Sequence, residues 1–358
     1  MRFEISSSEI FFSTKKNRDD FSLIHVANTN LNIIIEGLKI FNFNCVDKIF
    51  WLVTSGKSII LNEFGEELAE HNCILFLESM NNFQFLSNSI VGDERYLSIY
   101  DFKQSKVIFQ IDFSSTVFLL EKENLFVLKF GENSEKNEIY AYSILYFQEI
   151  KWNFSLTSLP CIPKTDVYNK EAGWEVKKFI GVLDNKLWIA LNHHTIISLD
   201  IATGQLKQQI SSIPDFNSEW LPSAIPSPES MIITAENNKL FGFMWEFYWE
   251  INPKNGLIEF TDLTNYLKEY NIRNDNPNYV LVGDIIYFIS QHVSAIGGFN
   301  RKTKKLNWHF KFQANKDGQF PKLKGIKGNE QMLGALDLDG NLYVFENNKP
   351  AITHALRA

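Results

Sequence analysis

Two strand-like segments joined by a polar turn form the unit that most constrains how this chain folds. Its clearest copy runs from Thr195 to Lys207 and centres on the turn Asp200-Ile-Ala-Thr203-Gly204. A weaker copy, from Ser294 to Phe310, repeats the order of strand, polar turn and strand, and its second strand ends in aromatic residues. Hairpin units that recur every ~38 to 60 residues are typical of all-β folds built by radial repetition.

Alternation of apolar and polar residues predicts eight β-hairpins along the chain. A further strand before or after most hairpins brings each unit to four strands. Apolar residues lie on both faces of each unit, so each sheet must stack against its neighbours. We therefore predict an all-β fold, a β-propeller of four-stranded antiparallel blades, with seven or eight blades. The predicted hairpins span Ile10 to Val26, Ile49 to Leu61, Phe83 to Tyr100, Leu125 to Ser143, Leu187 to Leu199, Leu240 to Ile251, Ile285 to Phe299 and Gln331 to Phe345.

The two ends of the chain predict how the ring closes. The final unit, Pro321 to Glu346, has no evident outer strand, whereas Arg2 to Ser6 is a spare strand. We expect these two segments to pair, so that the N-terminal strand closes the ring. Residues 1–349 then form a single propeller domain, and residues 350–358 form a C-terminal tail.

The repeated unit resembles the repeat of the PQQ-like (quinoprotein-type) β-propellers. The resemblance is clearest at Leu199 to Gly204 and at Leu306-Asn-Trp308, and fainter at Ile150-Lys-Trp152. It implies a fold and says little about activity. Quinoprotein dehydrogenases of this kind are exported, bind calcium and often carry adjacent cysteines, and outer-membrane assembly propellers carry a lipoprotein signal. This N-terminus has neither signal, and Cys45, Cys73 and Cys161 are far apart, so we expect no quinone cofactor.

Charge and composition exclude several classes of partner. The formal net charge is −7 and the isoelectric point is near 5.6, which disfavours binding to nucleic acid or to an anionic membrane surface. The same charge suits a basic protein partner, and it also suits simple solubility. No segment approaches the ~18 consecutive apolar residues of a membrane helix. Three separated cysteines without a Cys-x-x-Cys spacing fit a reducing compartment, so we expect a cytoplasmic protein.

Three motifs have both a chemical and a structural interpretation. His193-His194 with His292 could hold a metal, but adjacent strand residues face opposite sides, which favours a hairpin turn. Asp337-Leu-Asp339-Gly-Asn341 begins like a calcium loop but lacks the later acidic ligand, which also favours a hairpin turn. Trp245 to Trp249 could stack a sugar or base, but alternation favours packing between blades. We expect no catalytic residue, no metal and no cofactor.

Long connections on a rigid scaffold are where binding surfaces usually lie. The long connections here are Ser155 to Lys177, Ser211 to Met231 and Asp262 to Asn278, and the last contains Leu263 to Tyr270 with helical spacing. Aromatic anchors dominate interfaces and acidic residues steer basic partners. The predicted partner-binding residues are Trp174, Trp220, Tyr266, Asp215, Glu219, Glu171 and Asp166.

The preferred functional hypothesis is a non-catalytic protein-binding scaffold. A bacterial immunity protein or toxin inhibitor in the cytoplasm is one concrete form of it. The alternative is a hydrolase or lyase acting on a sugar or small molecule in the central funnel, which predicts acidic residues with shifted pKa values converging at the axis. A purely structural subunit of a larger assembly is a third hypothesis, which predicts an extensive permanent interface.

Overall fold

The computed structural model describes most of the chain, and the strands come in sets of four. It describes residues 3–6, 9–17, 20–27, 30–38, 42–46, 49–54, 57–62, 64–72, 74–79, 84–91, 94–101, 104, 106–112, 117–129, 137–144, 149–160, 173–216, 224–234, 238–346 and 352–356. Within them the chain forms eight four-stranded antiparallel sheets. Each sheet consists of four consecutive strands that pair in chain order.

The first four sheets occupy the N-terminal half of the chain. Sheet 1 contains β1 (Phe3–Ser6), β2 (Glu9–Asn17), β3 (Asp20–Ala27) and β4 (Asn30–Leu38). Sheet 2 contains β5 (Asn42–Val46), β6 (Ile49–Val53), β7 (Lys57–Leu61) and β8 (Glu67–Asn72). Sheet 3 contains β9 (Ile74–Ser79), β10 (Gln84–Val91), β11 (Glu94–Asp101) and β12 (Lys106–Asp112). Sheet 4 contains β13 (Phe118–Glu121), β14 (Asn124–Lys129), β15 (Glu138–Ser143) and β16 (Ile150–Ser155).

The last four sheets continue the same order. Sheet 5 contains β17 (Val176–Leu183), β18 (Lys186–Leu191), β19 (Thr195–Asp200) and β20 (Leu206–Ile210). Sheet 6 contains β21 (Ile232–Thr234), β22 (Lys239–Met244), β23 (Phe247–Ile251) and β24 (Ile258–Asp262). Sheet 7 contains β25 (Val280–Val282), β26 (Ile285–Ser290), β27 (Ala295–Asn300) and β28 (Lys305–Lys311). Sheet 8 contains β29 (Leu323–Gly328), β30 (Met332–Asp337), β31 (Leu342–Glu346) and β32 (Ile352–Leu356).

Helical segments in the described residues are short and lie in the connections. The α-helix α1 spans Thr264–Tyr270, and 3-10 turns span Leu156–Ser158, Pro228–Ser230 and Gln291–Val293. None of the helices in these residues has the length and apolarity that crossing a membrane requires. The chain divides into two compact units. Unit one comprises Met1–Glu94, Ile99–Lys106 and Tyr266–Ala358, and unit two comprises Arg95–Ser98 and Val107–Asn265.

Sheet 5 shows why the strands of unit two form where they do. In β18 every residue after Lys186 is buried. Leu187 and Ile189 pack into a core cluster with residues of sheet 4, whereas Trp188 packs into another cluster with residues of sheet 6. Successive side chains of a strand point to opposite faces. A sheet buried on both faces therefore has a continuous apolar run in its central strands instead of an apolar and polar alternation.

The polar turn that opens the repeat is held by its own side chains. The Asp200 carboxylate accepts hydrogen bonds from the Ala202 and Thr203 backbone N–H groups and from the Thr203 hydroxyl, at 3.0, 3.0 and 3.1 Å. Gly204 closes the turn at a φ of 72°, and its N–H donates to the Asp200 carbonyl at 2.8 Å. A residue without Cβ adopts this left-handed conformation at no steric cost.

The same turn fastens sheet 4 to sheet 5. The Trp152 indole N–H, on β16, donates to the Ile201 carbonyl at 2.9 Å. A Cβ added to Gly204 would lie 2.7 Å from the Trp152 ring, so the indole covers the glycine directly. Between sheet 5 and sheet 6, Gln208 of β20 occupies the position that Trp152 has between sheets 4 and 5. Its amide lies 3.5 Å from the Lys254 carbonyl in the turn of sheet 6 that contains Gly256.

The eight hairpins predicted from the sequence are all present, as the second and third strands of the eight sheets. The predicted helical spacing from Leu263 to Tyr270 is confirmed as α1. The predicted pairing of the N-terminal strand with the final unit is not found. β1 pairs with β2 in its own sheet, because a hairpin joins neighbouring strands at the lowest loop-closure cost. The outer strand of sheet 8 is β32, which lies within the segment expected to be a tail.

A glycine substitution tests the contact between Trp152 and the repeat turn. We expect Gly204→Ala to destabilise the protein by about 2 to 4 kcal/mol, because it combines a left-handed conformation with a clash against a packed indole. Gly256→Ala is the matched control. Its φ is 74°, but its nearest neighbour is the flexible Gln208 side chain at 3.4 Å, so about 1 kcal/mol is expected. Urea unfolding of both variants measures the difference, and equal losses would contradict the role of Trp152.

Candidate functional site

Strand order decides which loops of a sheet lie together. In a four-stranded antiparallel sheet paired in chain order, the turn between the second and third strands lies at the same end as the connection to the next sheet. We call this the connection end, and we call the other end, which carries the remaining two turns, the turn end. In unit two, the connections of residues 156–175 and 211–231 both leave from the connection end of their sheets.

A histidine turn at the connection end joins these two connections. His193 and His194 connect β18 to β19 with φ values of 53° and 55°. The His193 ring makes an edge contact with Trp174, centroids 6.0 Å apart, in the preceding connection. His194 Nδ1 lies 2.8 Å from the Ile225 carbonyl in the following connection. A left-handed backbone is costly for residues with a Cβ, so tertiary contacts hold the turn in place.

Asn192 completes this histidine turn. Its backbone N–H donates to the Glu175 carbonyl, its side-chain oxygen accepts from the Glu175 N–H, and its amide donates to the Gly173 carbonyl, each at 3.0 Å. The two histidines contact different connections, which agrees with the hairpin-turn interpretation. Within the described residues, no three His, Cys, Asp or Glu side chains are grouped so that they could hold a metal ion.

Trp174 makes structural contacts within unit two. Its indole N–H donates to the Pro160 carbonyl at 2.8 Å, and its ring packs against the core cluster shared by sheets 4 and 5. It therefore anchors the connection of residues 156–175, and its side chain stays partly exposed. Four of the predicted partner-binding residues lie outside the described residues: Trp220, Glu219, Glu171 and Asp166.

Asp215 lies at an exposed bend of the second connection, with a φ of 58°. The next residue, Phe216, is buried against Phe247 and Phe260, with centroids 5.1 and 4.2 Å away. The buried ring fixes the bend that directs the carboxylate outward. Acidic side chains outnumber basic ones among the described residues at the connection end of unit two: Glu138, Glu175, Asp215, Glu229, Glu246 and Asp262 against Lys129, Lys177 and Lys178.

The aromatic segment from Trp245 to Trp249 packs inside unit two. Phe247 and Trp249 are buried in the core cluster of sheets 5 and 6, as alternation predicts. Trp245 differs from the expectation, because it lies in the turn before β23 with a φ of 53° and packs on the same cluster from the edge. This turn is also fastened to the next connection, since the Leu263 N–H donates to the Glu246 carbonyl at 2.8 Å.

Tyr266, in unit one, also serves the fold. Its hydroxyl accepts a hydrogen bond from the Leu306 N–H at 3.0 Å. Its ring lies 5.4 Å from that of Tyr270, which in turn lies 5.5 Å from His309. Helix α1 is thereby fixed along β28. A cavity of about 650 Å³ lies at the start of β28, and the described residues that line it, from Thr303 to Trp308, include no carboxylate.

A histidine and carboxylate pair in unit one was not anticipated from the sequence. Asp275 accepts from Arg273 Nε at 2.6 Å and lies 2.7 Å from His292 Nδ1. The Ser290 hydroxyl approaches the same nitrogen at 3.2 Å. In a catalytic triad the serine contacts the opposite ring nitrogen, Nε2. This arrangement is therefore a fastening of the Gln291–Val293 turn, and its members are too dispersed to form a motif.

In the calcium-like segment of sheet 8, nearby residues of the same hairpin donate hydrogen bonds to the Asp337 carboxylate. Asp337 is buried and accepts from the Asn341 backbone N–H and side-chain amide, each at 2.7 Å, and from the Tyr343 hydroxyl at 3.1 Å. Burial and the Asp337 charge raise the pKa of Tyr343, so the phenol stays a donor. The structure agrees with the hairpin-turn interpretation of this segment.

The enzyme hypothesis predicts carboxyl groups with altered pKa values. Among the described residues, the pKa values of Asp200 and Asp284 depart from the ordinary value for aspartate. Desolvation acts to raise the pKa of Asp200, but the hydrogen bonds from Thr203 and Ala202 outweigh it and the pKa is lowered. The hydrogen bond and charge of Lys302 lower the pKa of Asp284. Both groups cap turns at the turn end. Neither of these two groups has the raised pKa that suits a general acid. The central-funnel hypothesis stays a prediction.

Solved structures similar to this chain establish its fold. The sequence matches no protein-family model and no curated protein. BamB from Moraxella catarrhalis has 12% sequence identity, covering 88% of this chain and 87% of its own, with a TM-score of 0.56. AztD from Citrobacter koseri, in its apo form, has 10% identity over 98% of this chain and 95% of its own, with a TM-score of 0.55.

A third solved structure is a dehydrogenase. The quinohemoprotein alcohol dehydrogenase from Pseudomonas putida HK5 has 10% identity over 88% of this chain, with a TM-score of 0.54, and the match covers 66% of the dehydrogenase. These neighbours agree with the propeller fold predicted from the sequence. The fold is a β-propeller with four-stranded antiparallel blades. At such identities the likeness shows the fold alone, since one fold carries many functions.

The pH dependence of stability tests the environment of His193. Desolvation lowers the pKa of His193, with Glu175 opposing and His194 and Lys177 adding to the effect. Below about pH 6.5 the folded chain therefore binds fewer protons at this site than the unfolded chain does, so stability falls on acidification. We expect His193→Asn, which tolerates a positive φ, to lose less stability than wild type between about pH 7.5 and 5.5.

Urea unfolding at the two pH values measures this loss. The measurement at about pH 7.5 controls for any change in packing, because the histidine is neutral there. Other titrating groups contribute equally to both proteins. An identical loss in wild type and variant would contradict the buried setting of His193.

Proposed function

We propose that this protein is a non-catalytic β-propeller scaffold that binds another protein through the connection end of unit two. The observation that supports it most is the histidine turn. His193 and His194 keep a left-handed backbone and are fastened on both sides, to Trp174 and to the Ile225 carbonyl. Turns that have a strained backbone and are held by tertiary contacts at the edge of a rigid scaffold are typical of binding surfaces.

The charge of this end supports a basic partner. Asp215, Glu229 and Asp262 are exposed there. Lys178, by contrast, uses its ammonium within the fold, donating to the Glu229 and Met231 carbonyls at 3.1 and 3.0 Å. An acidic surface raises the association rate with a basic partner and disfavours acidic ones.

The proposal extends to the cellular setting, to a concrete role and to the number of blades. We propose a cytoplasmic protein, on the basis of its separated cysteines, and an immunity protein or toxin inhibitor as the concrete form of the scaffold. An acidic and otherwise inert surface suits the capture of a basic toxin. We also propose eight blades rather than seven, on the basis of eight consecutive four-stranded sheets.

Charge neutralisation tests the binding surface. The tagged protein is isolated from its native cells at ~0.15 M salt, as wild type and as the double variant Asp215→Asn, Glu229→Gln. Asn tolerates the positive φ at position 215, so the fold is expected to persist. The control is Glu259→Gln, which neutralises an exposed glutamate on β24.

The readout is the amount of a stoichiometric basic protein that co-purifies. Wild type and Glu259→Gln are expected to retain it, and the double variant to retain about tenfold less, since both steering charges are gone. The proposal fails if wild type captures no partner, or if the double variant captures as much as wild type.

A further inference from the structure

Two large apolar side chains are exposed at the connection end of sheets 7 and 8, in unit one. Phe320, in the connection between β28 and β29, is 56% exposed, and Leu338, at the turn between β30 and β31, is 62% exposed. The Leu338 N–H donates to the Lys322 carbonyl at 2.8 Å. The turn and the connection are therefore adjacent, and the two apolar residues belong to one surface.

Hydrogen bonds to the backbone that follows Phe320 hold this residue in its exposed position. Three consecutive carbonyls after it each accept a hydrogen bond from a neighbouring turn: Pro321 from the Ser294 hydroxyl at 2.6 Å, Lys322 from Leu338, and Leu323 from the Gln291 amide at 3.2 Å. A surface that is ordered before binding loses little conformational entropy when a partner arrives.

The segment before Phe320 is fixed as well. The Asn315 side-chain oxygen accepts hydrogen bonds from the Asp317 and Gln319 N–H groups, each at 2.9 Å. The backbone closes the same loop, because the Asn315 N–H donates to the Gln319 carbonyl at 2.8 Å. Both flanks of the exposed phenylalanine are thus held in a defined conformation.

Four lysines lie at the same connection end, in the β28–β29 connection or at the strand ends beside it. No ion pair joins any of them to a carboxylate among the described residues, whereas Lys186 and Lys239 of unit two are paired with Asp184 and Glu250. An apolar surface framed by cations that the fold leaves without a counter-charge complements an anionic, partly apolar ligand. The lysines of this basic apolar patch are Lys311, Lys316, Lys322 and Lys324.

We propose that the basic apolar patch binds an acidic polypeptide segment in which a large apolar residue lies between carboxylates. The placement of the acidic residues favours a polypeptide over an anionic lipid surface. Asp339 follows Leu338 directly, and Asp317 lies in the connection before Phe320. A continuous anionic surface repels both aspartates, whereas a polypeptide can place its carboxylates opposite the lysines alone.

Peptide titration tests the patch independently of the function proposed for unit two. The probe is a short fluorescein-labelled peptide that repeats Glu-Glu-Leu, followed by fluorescence anisotropy with purified full-length protein. Two variants remove the patch in different ways: Phe320→Ser with Leu338→Ser, and Lys316→Gln with Lys322→Gln. The matched control, Leu257→Ser with Lys254→Gln, changes a 66% exposed leucine and a lysine of unit two.

Wild type and control are expected to bind the peptide equally, and each patch variant to bind at least about tenfold more weakly. Binding is expected to weaken as salt is raised from ~0.05 to ~0.3 M. The substitutions are at exposed positions, and unchanged melting curves verify that each variant is folded.

The proposal is overturned if wild type does not bind the peptide, or if both patch variants bind like wild type. Two further probes distinguish other polyanions. Vesicles containing phosphatidylserine and a single-stranded oligonucleotide are titrated in the same way. Preference for either probe over the peptide, with the same dependence on the patch, would replace the acidic segment with that class of ligand.

Discussion

Burial of both faces of each sheet is the constraint on which unit two depends. Sheet 5 divides its side chains between two core clusters, one shared with sheet 4 and one with sheet 6. Such a sheet has no face left for solvent, so it is stable only between neighbours. The Trp152 indole on Gly204 adds a directional contact to this apolar stacking, because it combines a hydrogen bond to Ile201 with close ring packing.

Once both faces are buried, the ends of the sheets carry what distinguishes one propeller from another. In unit two the turn end is used for cohesion, through the turns that contain Gly204 and Gly256. The connection end has longer segments and holds the histidine turn and Asp215. Partner binding is proposed for the connection end because the long connections, the fastened histidine turn and the excess of acidic residues lie there.

The sequence predicted the hairpins well and the outer strands less well. Central strands such as β18 are apolar throughout, whereas an outer strand such as β20 is largely exposed. β32, with the sequence Ile352-Thr-His-Ala-Leu356, has no strong alternation and was missed. Trp174 and Tyr266 were predicted as partner contacts, but the structure shows that both also fasten a connection. The pairing of Asp275 with His292 spans 17 residues and leaves no local pattern.

The sequence by itself determined the repeated four-stranded unit, the turn chemistry of Asp200 and Gly204, and the positions of the long connections, because these depend on periodicity and on residues close along the chain. Only the tertiary structure decided which strand completes sheet 8, which aromatic residues fasten the fold, and which charged residues gather at one end. Those outcomes depend on contacts between residues far apart in the chain, and a single sequence does not encode them in any local pattern.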